Sequence, residues 1–282
     1  MKRNTTKRLL CVSLLALATL ISSCSDTDES TQPDQKTGIQ IKTDSKFGRI
    51  LTDSKGNTLY FFSNDTKGES TCSGACEINW PIFYDGDIST DASVDNAFVG
   101  ETVRADGKKQ TTYKGWPLYY FSGDQTAGTI NGDGVNKIWY VAKPDYIVML
   151  AHGQLIGADG KSYKADLTEG VENTFYMTDD LGRTLYAFAP DRSNTNTYTK
   201  PDFSNDAVWP IYQQLGGPVP TIFPADDMGS IQVYGKTQLV YRGWPLYYFG
   251  QDQQRGDTKG VSVPRPGVWP IVNQETITAL QP

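Results

Sequence analysis

Short apolar runs, each preceded by a turn, recur along the chain. The run Leu59-Tyr60-Phe61-Phe62 is apolar on both faces of an extended strand. Leu59 and Phe61 point one way, Tyr60 and Phe62 the other. A strand of this kind belongs in a sheet interior, covered on each side. Lys114-Gly115 and Arg242-Gly243 have the form of two-residue hairpin turns, since Gly accepts positive φ. Residues 53–57 and 179–183 are longer Gly-containing turns. No long apolar pattern of helical period follows residue 24. The elements predicted are short strands, and the fold class is all-β. Composition supports this: aromatics are 12% of the chain, with 27 Gly and 15 Pro.

One pattern occurs four times. Tyr60, Phe62 and Asp65 fit Tyr-x-Phe-x-x-Asp, as do Tyr119, Phe121 and Asp124; Tyr186, Phe188 and Asp191; and Tyr247, Phe249 and Asp252. The copies lie 59, 67 and 61 residues apart, regular enough to set the architecture. Copies one and three share a preamble, Thr52-Asp53 to Leu59 and Thr178-Asp179 to Leu185. Copies two and four share another, Tyr113-Lys114-Gly115-Trp116-Pro117 and Tyr241-Arg242-Gly243-Trp244-Pro245. The order is A-B-A-B. It predicts two tandem antiparallel β domains, 40–148 and 149–282, each of one A and one B unit. The alternative is one four-bladed propeller-like ring. Each unit ends on a Trp (Trp80, Trp139, Trp209, Trp269), expected in the core. The motif Tyr residues are expected to be buried in equivalent places. The motif Asp falls where its strand ends, and its expected task is a turn in which the carboxylate accepts backbone N–H bonds.

These four motifs, the Cys-x-x-x-Cys-x-x-x-Trp-Pro run at 72–81 and the Gly-Asp-Gly-Val-x-x-x-Trp run at 132–139 resemble a family of bacterial lipoproteins. The family is named for a Tyr-x-(Phe/Trp/Tyr)-x-x-Asp motif and described as secreted repeats of unknown function. The resemblance covers nearly all of 45–275. It implies a secreted, β-rich repeat protein and no established activity. The second half departs from the pattern: it has no Cys pair, and residues 261–267 replace the Gly-Asp-Gly run.

The N-terminus is read apart from the fold. Lys2, Arg3, Lys7 and Arg8 precede an apolar stretch over 9–20, too short to span a membrane comfortably. Ile21-Ser22-Ser23-Cys24 then resembles the lipobox of bacterial lipoproteins. Residues 1–23 are expected to be a signal peptide, Cys24 the lipidated residue, and 24–39 a polar flexible tether. The expected location is a membrane, most simply the outer membrane, on its periplasmic or exposed side. Loss of the leader changes the net charge from −6 to −10. An acidic chain without a basic cluster has no electrostatic footprint for nucleic acid.

Candidate chemistry is sparse. Cys11 leaves with the leader, and Cys72 and Cys76 remain as a disulfide or redox candidate. In an oxidising compartment a local disulfide is the simpler reading; a redox-active bridge or a thiolate pair for Cu(I) is the sharper one. His152 is the single His in the chain, outside every repeated element, so Ser-His-Asp and Cys-His catalysis lack a base. Residues 129–134 match a calcium loop only in part, and a Gly-Asp-Gly turn fits them better. No catalytic set, resident metal or cofactor is expected. The reading is a non-enzymatic binding or structural module with a protein or glycan ligand. One alternative is an accessory redox or metal-handling protein using Cys72 and Cys76. Another is carbohydrate binding, which would need tryptophans such as Trp116 and Trp244 exposed on one face.

Overall fold

Lys114 and Gly115 both have positive φ, as do Arg242 and Gly243. Two-residue hairpins need that backbone to match the twist of their strands. The computed structural model describes residues 35–282. The expected signal peptide, Cys24 and most of the 24–39 tether lie outside the described residues. The first half contains β1 (Gln40–Asp44), β2 (Gly48–Thr52), β3 (Tyr60–Phe62), β4 (Val99–Val103), β5 (Lys109–Tyr113), β6 (Trp116–Tyr119) and β7 (Trp139–Val141). The second contains β8 (Met149–Ile156), β9 (Ser162–Tyr163), β10 (Asn173–Thr178), β11 (Met228–Val233), β12 (Lys236–Tyr241) and β13 (Trp244–Pro245). A single five-residue α-helix, α1 (Ala75–Asn79), occurs among the described residues, with a few 3-10 turns. The protein is all-β.

All pairings between these strands are antiparallel. A hairpin of β1 and β2 stands beside a five-stranded sheet of order β4-β5-β6-β3-β7. The motif strand β3 is therefore interior, flanked by β6 and β7, as its two apolar faces require. Leu59, Tyr60, Phe61 and Phe62 are all buried. The second half repeats the arrangement with shorter ladders. Tyr60 pairs with Tyr119 and Val141, and Tyr186 pairs with Tyr247 and Ile271. Ile82 bridges Tyr119 as Ile211 bridges Tyr247. Between β8 and β10 the second half carries an added excursion that includes β9.

Residues 36–282 form one compact unit. Each half has its own aromatic core, around Tyr60 and Trp139 in the first and Tyr186 and Trp269 in the second. A further cluster joins the halves, combining Phe61, Trp116 and Tyr146 with Met177, Leu185 and Leu246. Polar contacts seal this junction. Trp116 Nε1 donates to the carbonyl of Asp180 (3.0 Å), and Lys114 pairs with the Asp180 carboxylate (2.5 Å). Arg255 Nη1 donates to the carbonyls of Lys114 (2.7 Å) and Leu181 (2.6 Å), and its Nε to that of Thr66 (3.2 Å).

Candidate functional site

The four motif tyrosines are fully buried, and each hydroxyl requires a partner. None bonds the Asp of its own motif. Tyr60 donates to Asp124 (2.6 Å) and Tyr119 to Asp65 (2.5 Å). Tyr186 donates to Asp252 (2.6 Å) and Tyr247 to Asp191 (2.7 Å). The exchange is reciprocal: within each half, unit A's Tyr closes on unit B's Asp and unit B's Tyr on unit A's Asp. Strand pairing explains the swap. Antiparallel pairing of Tyr60 with Tyr119 runs each motif toward the other's far end, where the Asp ends its strand.

The second oxygen of each Asp organises the following loop. Asp65 Oδ1 accepts from the Thr71 backbone N–H (2.7 Å) and hydroxyl (2.6 Å). Asp191 does the same with Thr197. Asp124 and Asp252 accept from the backbone N–H groups of Asn131 (2.8 Å) and Lys259 (2.9 Å). The expected backbone bonding is present, but it reaches six or seven residues ahead and uses only half of the carboxylate. Burial pushes Asp65 and Asp252 up to about 6, although their hydrogen bonds pull the other way. Asp124 and Asp191 are raised for the same reason.

Four rings stack beside each Tyr–Asp exchange. The order is Phe62, Trp139, Trp80, Phe121, with centroid separations of 4.0, 3.8 and 4.4 Å. The second half repeats it with Phe188, Trp269, Trp209 and Phe249 at 4.4, 3.7 and 4.4 Å. Units A and B alternate along both stacks. Tyr60 and Tyr119 meet Trp80 and Trp139 edge-on. Gly132 closes the first stack: its N–H points at the Tyr60 hydroxyl, and a Cβ there would lie 2.8 Å from both Trp80 and Tyr60. Gly260 holds the same position against Tyr186 and Trp209. The second half thus keeps the essential glycine of the Gly-Asp-Gly run.

Sequence reasoning missed two supporting contacts. Tyr120 donates to Asp53 (3.1 Å) and Tyr248 to Asp179 (2.8 Å), a second Tyr–Asp link between units B and A. Gln110 and Gln238 are fully buried and donate to the carbonyls of Leu118 and Leu246. The signals were present: a Tyr-Tyr doublet in both B copies, an Asp opening both A preambles, and a Gln three residues before Tyr113 and Tyr241.

The remaining candidates lie around the stacks, and Cys72 packs in the first half's aromatic core with Phe62, Trp80 and Trp139. Cys72 and Cys76 form a disulfide, with Cys72 buried and Cys76 partly exposed. Cys76 lines an open cavity of about 400 Å³ with Asn64, Ser73, Asn173 and His152. His152 is half-buried, stacks on Phe175 and meets Asn64 at 2.7 Å; burial lowers its pKa. The structure thus places His152 against the first half's motif loop, a proximity the sequence did not reveal. Asp133 is taken by the Val141 N–H and the Thr221 hydroxyl. Among the described residues, no group of three or more His, Cys, Asp or Glu is placed to hold a metal ion. Trp116 is buried and Trp244 is half-buried, so this pair does not form an open aromatic platform.

Comparison with known proteins adds one result. Residues 42–83, 101–143 and 230–273 each match the family described as a secreted repeat of unknown function. No curated protein and no solved structure matches. Among the described residues, no helix is long and apolar enough to cross a membrane. The third unit, outside the matched segments, carries the same geometry through Tyr186, Asp191, Trp209 and their partners. Three of the four units thus match the family model of a secreted repeat of unknown function, and the remaining unit is built alike.

Proposed function

We propose that this protein is a lipid-anchored, non-enzymatic module of the bacterial outer membrane, facing the periplasm or the exterior. It binds or organises a protein or glycan partner there. One observation carries this reading: the acidic groups of the fourfold motif are spent on holding the units together. Each motif carboxylate is engaged by a Tyr hydroxyl and a loop N–H. A carboxylate fixed by such partners is poorly placed to shuttle protons or bind substrate. The lipobox at 21–24 supplies the anchor, and the acidic balance argues against a nucleic-acid partner. Cys24→Ser should release the protein from the membrane fraction or block its processing. Retention of this variant in membranes after a carbonate wash would refute the anchoring. Cross-linking and pull-down from cells carrying the tagged chain should recover a recurrent surface partner; turnover of a small substrate by the purified protein would refute the non-enzymatic reading.

A second reading rests on Cys76, whose partly exposed position beside His152 suits an accessory thiol–disulfide or copper-handling role. Thiol titration in a graded glutathione series, with metal analysis, separates the two. A strongly oxidising potential or stoichiometric copper favours this second role.

A further inference from the structure

The two B units present the same edge, and the chain covers it in two different ways. In the first half the edge is the 114–116 turn. Trp116 Nε1 donates to the Asp180 carbonyl (3.0 Å), and the Lys114 carbonyl accepts from Arg255 (2.7 Å). Both partners belong to the second half. In the second half the edge is the 242–244 turn. Trp244 Nε1 donates to the Ile277 carbonyl (2.8 Å), and the Arg242 carbonyl accepts from the Ala279 N–H (2.9 Å). Arg242 Nη1 also donates to the carbonyls of Gln274 (3.1 Å) and Thr276 (2.7 Å). The Ser193 N–H donates to the Leu280 carbonyl (2.7 Å), beside the position equivalent to Thr66. A C-terminal segment, residues 274–280, thus makes the contacts that a following half would make.

We propose that this segment is a cap, which stands in for the next repeat and stops copies of the chain from assembling head to tail. Three observations support the assignment. The cap is held through backbone groups, while its apolar side chains Ile277 and Leu280 are 74% and 66% exposed. It covers its tryptophan less completely than the docked half does: Trp116 is buried, Trp244 only half-buried. The opposite end of the array is blunted. The residue matching Asp180 is Ser54, and the one matching Arg255 is Ala127. The local geometry fixes this match, since a Cβ on Gly182 would meet Arg255 and one on Gly56 would meet Ala127. The leading edge therefore lacks the carboxylate and guanidinium that seal the internal junction.

The test uses the mature chain with Cys24→Ser, so that lipid does not drive association. Light scattering on a sizing column would be run over a wide concentration range. The full-length chain should stay monomeric. Deleting residues 274–282 in a chain carrying Ser54→Asp and Ala127→Arg should give a mass that rises with concentration. A peptide of residues 273–282 should return it to monomer. Should the deletion prevent folding, the shorter deletion of residues 277–282 in the same background removes the Ile277, Ala279 and Leu280 contacts and should give the same association. A folded, uncapped variant that stays monomeric overturns the proposal. So does equal association of the Ser54→Asp, Ala127→Arg chain with its cap intact.

Discussion

The tyrosine and the aspartate of one motif lie five positions apart and do not bond each other; each reaches into the neighbouring unit. This distinction has energetic weight, because the four tyrosines and the carboxylates of Asp65, Asp191 and Asp252 are buried, with Asp124 half-buried. A buried carboxylate without partners costs more than its hydrogen bonds return, so removing one partner is worse than the mean bond strength implies. Burial also fixes the sign of the pH dependence. Asp65 and Asp252 titrate near 6 in the folded chain, above the ordinary value of 3.8. The folded state therefore holds their protons more tightly than the unfolded state does. Their contribution to stability is complete below the unfolded pKa and is lost as pH rises through the folded one. Exposed turn carboxylates such as Asp44, Asp106 and Asp166 are shifted downward by backbone and side-chain hydrogen bonds, so their contribution is lost only in more acidic solution. Thermal melts should peak at about pH 4–5 and fall toward pH 7.5. A melting temperature that rises steadily across that range would show that the motif carboxylates are solvated.

At the scale of elements, the hairpins were legible because their chemistry is local. Lys114-Gly115 and Arg242-Gly243 adopt the positive φ pair that such turns require. Strand β3 was legible because Leu59 to Phe62 offer no polar face. The motif loops were not, because what orders them is remote in sequence: Thr71 is placed by Asp65, which is held by Tyr119. Pairings over such separations leave no periodicity to read. His152 meets Asn64 for the same reason, through the docking of β8 against the first half's motif loop. The disulfide is one brace of that loop among several. The buried guanidinium of Arg104 also holds the Cys72 carbonyl (2.8 Å) and Glu77 (3.1 Å). The second half orders its own loop with Thr197 and no Cys. Replacing Cys72 and Cys76 by Ser should therefore cost only about 1–2 kcal/mol, as befits a very short closed loop. Chemical denaturation would read this; loss of all folded structure would assign the bridge a far larger role.

For the whole molecule, four similar units close as two pairs, and the pairs share a core. Phe61 and Trp116 pack with Leu185 and Leu246 across the junction, and Arg255 ties three carbonyls there while its guanidinium lies 4.8 Å from the Trp116 ring centre. Such a junction couples the halves, so residues 36–282 should unfold in one transition by fluorescence and circular dichroism. Arg255→Ala leaves carbonyls unpaired at the seam and should cost about 2–3 kcal/mol. Two separated transitions in the unaltered chain would show that the seam carries little energy.

The motif joins unit A to unit B and does not close on itself. A double-mutant cycle on denaturation free energies tests it directly, with Tyr60→Phe combined first with Asp124→Asn and then with Asp65→Asn. The hydroxyl of Tyr60 touches Asp124 and not the Asp of its own motif. Coupling between Tyr60 and Asp124 should therefore be about 1–2 kcal/mol, and coupling between Tyr60 and Asp65 within about 0.5 kcal/mol of zero. Strong coupling within the motif and none across the units would show instead that each motif closes on itself.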